Sequence, residues 1–183
     1  SWQWRDPEPV ADHLELGPVR PILDGRASLR LPIVVRLDRS DPLSPQGYYV
    51  AYDYATGQDA LLINMEATDV VAEEADRIIL KERVRAYADT IRKHAALDEP
   101  LTFEVWPNKP NVFASQTIFG QFAQPGRPTV TRRSRFAVWQ PTPELIINLQ
   151  FVVNDEVVRS ADAQNRMARS IEQILASLGG PVP

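Results

Sequence analysis

Between residues 28 and 37 the chain alternates strictly, with Leu29, Leu31, Ile33, Val35 and Leu37 apolar at every second position. That is the period of a half-buried strand. Pro32 cannot donate to a ladder, so this strand is expected at an edge or an irregular position. Turn formers fill 38–47, after which Tyr48, Val50, Tyr52 and Tyr54 resume the alternation. Ala55-Thr56-Gly57-Gln58 is short enough for a hairpin into a third strand. There Leu61, Ile63 and Met65 share one face, and Asn64 and Glu66 the other. Three successive strands predict a meander.

The period then lengthens. Leu80, Val84, Tyr87 and Ile91 fall at i, i+4, i+7 and i+11 and predict an amphipathic helix over about 70–96. Thr68 or Asp69 could cap it, Glu73 and Glu74 suit its positive end, and Lys93 and His94 its negative end. Four more strands are expected: Leu101, Phe103 and Val105; a longer segment over 112–122; 129–140; and the run Leu145, Ile147, Leu149, Phe151 and Val153. A second helix follows, capped by Ser160 or Asp162, striped by Met167, Ile171, Ile174 and Leu178, and ended by Gly179-Gly180. Two one-sided helices must bury their stripes against a sheet. The expected fold class is therefore α+β, in two layers, with an antiparallel sheet of about six to seven strands in the order βββ-α-ββββ-α.

Residues 1–27 read differently. The stretch to about Pro21 holds Trp2, Trp4, four prolines and scattered acids with no period of 2 or 3.6. It is expected to be an extended arm leading into one domain over 28–183, and its tryptophans suit docking on a groove. At 183 residues the chain has the size of one ordinary domain.

Composition narrows the chemistry. There is no cysteine, which removes disulfides, thiolate catalysis and the common zinc sites. The net charge of −4 gives no pull toward nucleic acid or an anionic membrane, and no apolar run reaches the ~20 residues of a membrane-spanning helix. The two histidines, His13 and His94, have no partner at ligand spacing, and no nucleophile elbow or phosphate loop is present. No catalytic residue, metal site or cofactor is therefore expected. Carboxylate chemistry carries no local signature, so a small glycan or cell-wall hydrolase drawing on Asp53, Glu66 and Glu104 stands as the alternative.

The one charge cluster is Arg127, Arg132, Arg133 and Arg135, in a chain with three lysines against seventeen arginines. On a strand, Arg133 and Arg135 share a face with Ala137 and Trp139, and Arg132 shares the other with Phe136 and Val138. Arginine beside tryptophan is the composition of interface anchors. The candidate protein-binding residues are Arg133, Arg135 and Trp139, with Phe113 and Phe119 of the neighbouring segment and Trp2 and Trp4 of the arm.

The order of elements resembles the Mog1/PsbP-like proteins, which include the DUF1795 group with its DcrB-like lipoproteins and Eag effector chaperones. The resemblance rests on Leu29-Arg30-Leu31-Pro32, on Leu61-Leu62-Ile63-Asn64-Met65 before the helix, on Tyr87, on the paired strands near 136–140 and 145–153, and on the closing helix. It implies no cofactor and work done by binding another protein: an effector chaperone, an immunity protein or an assembly factor of a bacterial envelope or secretion system. An envelope or periplasmic address is favoured over a cytoplasmic one, with a lipid anchor upstream of Ser1 as one route to it.

Overall fold

The computed structural model describes residues 15–38, 47–53, 58–71, 73, 77–122, 126 and 130–182. Eleven strands and two long helices follow one another along them. The strands before the first helix are β1 (Leu16–Ile22), β2 (Ala27–Pro32), β3 (Val35–Asp38), β4 (Gly47–Asp53) and β5 (Gln58–Asp69). Helix α1 (Arg77–His94) leads into β6 (Ala95–Leu97), β7 (Phe103–Trp106), β8 (Lys109–Ser115), β9 (Ile118–Phe122), β10 (Val130–Thr142) and β11 (Leu145–Val153). Helix α2 (Ala161–Ser177) closes the chain. The fold is α+β, and the expected order of three strands, helix, four strands and helix is present within it.

The main sheet runs β3-β4-β5-β11-β10-β8-β7, each pair antiparallel, with β9 also paired to β10 and β6 to β9. Strict alternation sends Leu61, Ile63, Met65 and Ala67 of β5 to the same side as Leu145, Ile147, Leu149, Phe151 and Val153 of β11. Met167, Ile171, Ile174 and Leu175 of α2 bury against that side, together with Leu29 and Leu31 of β2. The opposite side carries Phe136, Val138 and Ile146, which pack under Leu80, Ala88 and Ile91 of α1. The two helices thus cover opposite faces, giving three layers where the stripes alone had suggested two.

Several local expectations change with the pairing. The strand over 28–37 breaks at Ile33 and Val34, so that β2 joins β1 in a separate two-stranded sheet and β3 joins the main one. Within the stretch 1–27 expected to be an arm, Leu16–Ile22 is paired strand with Leu16 and Ile22 buried, and residues 1–14 lie outside the described residues. Thr68 and Asp69 end β5 and do not cap α1. Asp69 instead pairs with Arg26, and the Val70 amide donates to the Glu144 carbonyl at 2.8 Å. Residues 95 and 96, assigned to the helix by period, belong to β6.

Helix α2 is fastened at both ends. Its N-cap Ser160 accepts from the Ala163 amide, as expected of serine there. Past its other end, Gly179 and Ser28 exchange backbone hydrogen bonds at 2.9 and 3.3 Å, and a Cβ on Gly179 would lie 3.0 Å from Ser28 Oγ. Lys109 Nζ donates to the Leu178 carbonyl at 2.6 Å, and loss of water around that ammonium lowers its pKa. Ile174 is fully buried between this helix and the sheet. Its replacement by alanine is expected to lower the unfolding free energy by about 2–5 kcal/mol, read as a drop in denaturation midpoint. An unchanged midpoint would mean that α2 adds little to the core.

Candidate functional site

Strand β10 brings the predicted residues together through its pairing with β9. Arg133 lies directly opposite Phe119, and its guanidinium carbon sits 4.6 Å from the centre of that ring. Arg135, on the same face, donates from Nε to the Ser115 carbonyl at 2.8 Å, forms an ion pair with Glu172 of α2, and lies 5.4 Å from the Trp106 ring centre. Its side chain is only 13% exposed. Between this strip and the first half of α2 runs a groove of about 300 Å³, lined by Phe119, Arg133 and Arg135 over Val153, Met167 and Ile171. The charged residues lining it, among the described residues, are the two arginines.

The arginines are unequally held. Arg135 has a carbonyl and a carboxylate. Arg133 Nε and Asp155 Oδ1 stand 3.9 Å apart, both buried and neither hydrogen-bonded. Such a pair is incompletely satisfied, and on the reverse face of the strand the buried Ser134 Oγ also has no partner.

Two of the predicted residues, Trp139 and Phe113, fall outside this groove for identifiable reasons. Trp139 does share the face of Arg133 and Arg135, but it is 0% exposed and belongs to the core under α2, so it is no surface anchor. Phe113 faces the other way. Along β8 the pairing matches Phe113 with Val138 and Ala114 with Ala137, whereas along β9 it matches Phe119 with Arg133. The sum of partner numbers rises from 251 to 252, one extra residue at the Gln116-Thr117 junction, and one extra residue exchanges the two faces. Phe113 therefore packs toward α1, while Phe119 keeps 36% of its surface exposed beside Arg133. Trp2, Trp4 and Arg127 lie outside the described residues.

The carboxylates of the alternative reading do not converge. Glu66 on β5 and Glu104 on β7 are four strand positions apart, about 19 Å along the sheet. Asp53 pairs with Gln58, eight residues from Glu66 and about 26 Å along the strand. A glycosidase pair needs its carboxyls within ~5–10 Å.

Glu66 instead borders a second cleft, on the opposite side of the sheet, which the sequence reading did not single out. Tyr87 and His94 of α1, with Asn64, Asn148 and Gln150 of the sheet, are among its walls. The Tyr87 hydroxyl donates to the Leu149 carbonyl at 3.1 Å. Burial, and secondarily the charge of Glu66, push the Tyr87 pKa well above the ordinary tyrosine range.

Comparison with known proteins supplies the fold and little more. No family model matches the chain, and no curated protein matches its sequence. Among solved structures it is similar to cyanobacterial PsbP (CyanoP) from Synechocystis sp. PCC 6803, with a TM-score of 0.51 and 8% identity over 89% of this chain and 91% of that one. It is also similar to the Saccharomyces cerevisiae Ran-binding protein Mog1p, with a TM-score of 0.52 and 11% identity over 91% of this chain and 96% of that one. The fold is Mog1/PsbP-like. Among the described residues, no helix is long and apolar enough to cross a membrane.

The raised Tyr87 pKa has a testable sign. Above the ordinary value of 10.0 an unfolded tyrosine loses its proton while buried Tyr87 keeps it. The contribution is therefore fully present below about pH 10 and is lost as pH rises beyond that. Denaturation midpoints should fall more steeply above about pH 10 in the wild type than in Tyr87→Phe. Equal slopes would show that this phenol does not set the alkaline limit.

Proposed function

We propose that this chain is a non-catalytic accessory protein that works by holding another protein, and that the partner docks on the groove between β9, β10 and α2. The observation that carries this reading is the meeting of a part-exposed Phe119 with two guanidiniums over a floor of Val153, Met167 and Ile171. Aromatic and arginine side chains around an apolar centre are the residues that dominate interface energetics. A fold shared with a protein described as Ran-binding is consistent with work of this kind.

The finer reading follows the resemblance to DcrB-like lipoproteins and Eag chaperones: a component of a bacterial envelope or secretion system, serving as effector chaperone, immunity protein or assembly factor. These roles differ in address. A signal peptide with a lipobox upstream of Ser1 in the natural gene would favour an envelope role and remove the cytosolic chaperone. A plain start there would do the reverse.

Docking on the groove is checked by a photo-crosslinking residue at position 119, with one at exposed Val19 as control. The first should capture a discrete partner and the second should not. Once that partner is purified, Phe119→Ala and Arg133→Gln should each weaken its binding by about 2 kcal/mol or more, with the melting temperature nearly unchanged. Equal capture at both positions, or undiminished affinity in both variants, would remove the groove as the docking surface.

A further inference from the structure

The α1-facing positions of β5 and β11 break the rule that the rest of the sheet obeys. They read Leu62, Asn64, Glu66 and Thr68 on one strand and Ile146, Asn148, Gln150 and Val152 on the other. In register, Asn64 lies opposite Gln150 and Glu66 opposite Asn148, with Leu62 and Val152 paired at one end and Thr68 and Ile146 at the other. Four polar side chains therefore form a square at the centre of one sheet face, while the reverse face behind it is apolar from Leu61 to Ala67 on β5 and from Leu145 to Val153 on β11.

Asn64, Asn148 and Gln150 are half-buried, and among the described residues none of their amide groups has a hydrogen-bond partner. None of these amide atoms is among the buried polar atoms left without a partner, and amides at a cleft opening are polar capacity that a ligand can take up in place of water. Departures from the local rule of this kind mark places kept for function. Above the square α1 sets Tyr87, Thr90, Ile91 and His94, and the open cleft between them measures about 210 Å³. Two of these are already occupied: the Tyr87 hydroxyl by the Leu149 carbonyl, and the Thr90 hydroxyl by the Ala86 carbonyl at 3.0 Å. The amides of Asn64, Asn148 and Gln150 in the floor have no such partner among the described residues.

We infer that this cleft binds a neutral, hydroxyl-rich ring compound of monosaccharide size. Each carboxamide offers a donor and an acceptor, and Glu66 offers acceptors, which is the complement of vicinal hydroxyls that each donate and accept. The square is about 5 Å across the strands and about 7 Å along them, a spacing that reaches hydroxyls on different sides of one six-membered ring. Ile91 and the Tyr87 ring give the carbon face of such a ring an apolar wall. No Lys or Arg lines the cleft among the described residues, and Glu66 sets a carboxylate there that disfavours an anion. The volume is below the ~300 Å³ at which drug-sized pockets begin. Glu66 is the one carboxylate among the described lining residues, which fits binding and lacks the second carboxylate that hydrolysis uses.

The inference is independent of the groove on the other face and is tested apart from it. The full chain is titrated with glucose, galactose, mannose and N-acetylglucosamine, followed by saturation-transfer NMR and by the side-chain amide signals of Asn64, Asn148 and Gln150. At least one sugar should bind and move those amide signals. The pair Asn148→Leu and Gln150→Leu should weaken it at least tenfold while leaving the melting temperature equal or higher, and Phe119→Ala should leave sugar binding as it was. No transfer to any of the four sugars would overturn the inference. So would undiminished binding by the double variant, amide signals that stay still in the wild type, or a response confined to amide-bearing peptides. The amide signals decide the matter even if the double variant does not fold.

Discussion

Strand β11 fixes the placement of almost everything else. It pairs along all nine of its residues with β5 on one side, and with β10 on the other up to the irregularity near Trp139. Its two faces are claimed by different helices. A strand paired on both edges and covered on both faces has no freedom to slip, since a one-residue shift would send Leu149 and Phe151 to the polar side. The register that buries those side chains also sets Asn148 opposite Glu66 and Gln150 opposite Asn64. Core packing and the polar square are thus two consequences of a single alignment. On β10 the same alignment places Arg133 and Arg135 on the α2 face.

The α2 side shows how a buried face can still present a surface. From Ala137 to Trp139, β10 is covered and its odd residues are core. At Arg135 and Arg133 the covering thins toward the start of α2, and guanidiniums replace apolar groups. Arg135 spans the transition, its guanidinium 5.4 Å from the Trp106 ring centre and paired with Glu172. Long arginine side chains can do this because an apolar stem and a polar head sit in different surroundings. The stripe is therefore partly structural and partly open, with the division falling between residues 135 and 137.

Much of this fold was legible in the alternation of residue types. The runs at 61–67 and 145–153 are strands with the expected faces, the stripe of Met167, Ile171, Ile174 and Leu178 is buried, and Ser160 caps its helix. What period alone could not carry was pairing. The extra residue at Gln116-Thr117 lies in a polar dipeptide where alternation has no signal, so Phe113 and Phe119 looked like neighbours on one face. The break at Ile33 and Val34 sits among apolar residues that would continue a strand equally well. Leu16–Ile22 contains Gly17, Pro18 and Pro21, which mask a strand by composition although its ends are buried. Trp139 failed differently: its face was correct, but no one-strand pattern tells whether a helix will cover that face.

The second cleft was equally visible in outline and equally undervalued. Asn64 and Glu66 were recognised as sharing a strand face, and in an antiparallel sheet such a face is ordinarily wet. That account fails once α1 lies across the same side and buries Ile146, Val138 and Phe136 around the polar group. The polar residues beside the helix are then only part-exposed, at a cleft rather than on an open face. Asn64, Asn148 and Gln150 find no hydrogen-bond partner among the described residues and keep part of their surface open to water, which a ligand can replace. Depth of pairing makes the point stronger: β5 and β11 lie inside the sheet, where apolar side chains on both faces would stabilise the fold more. Tyr87 shows what the structure does with polarity it needs for packing, burying the ring and giving its hydroxyl a carbonyl. Among the described residues the three amides have no such partner, and the difference separates a satisfied core polar group from polar groups open to a ligand.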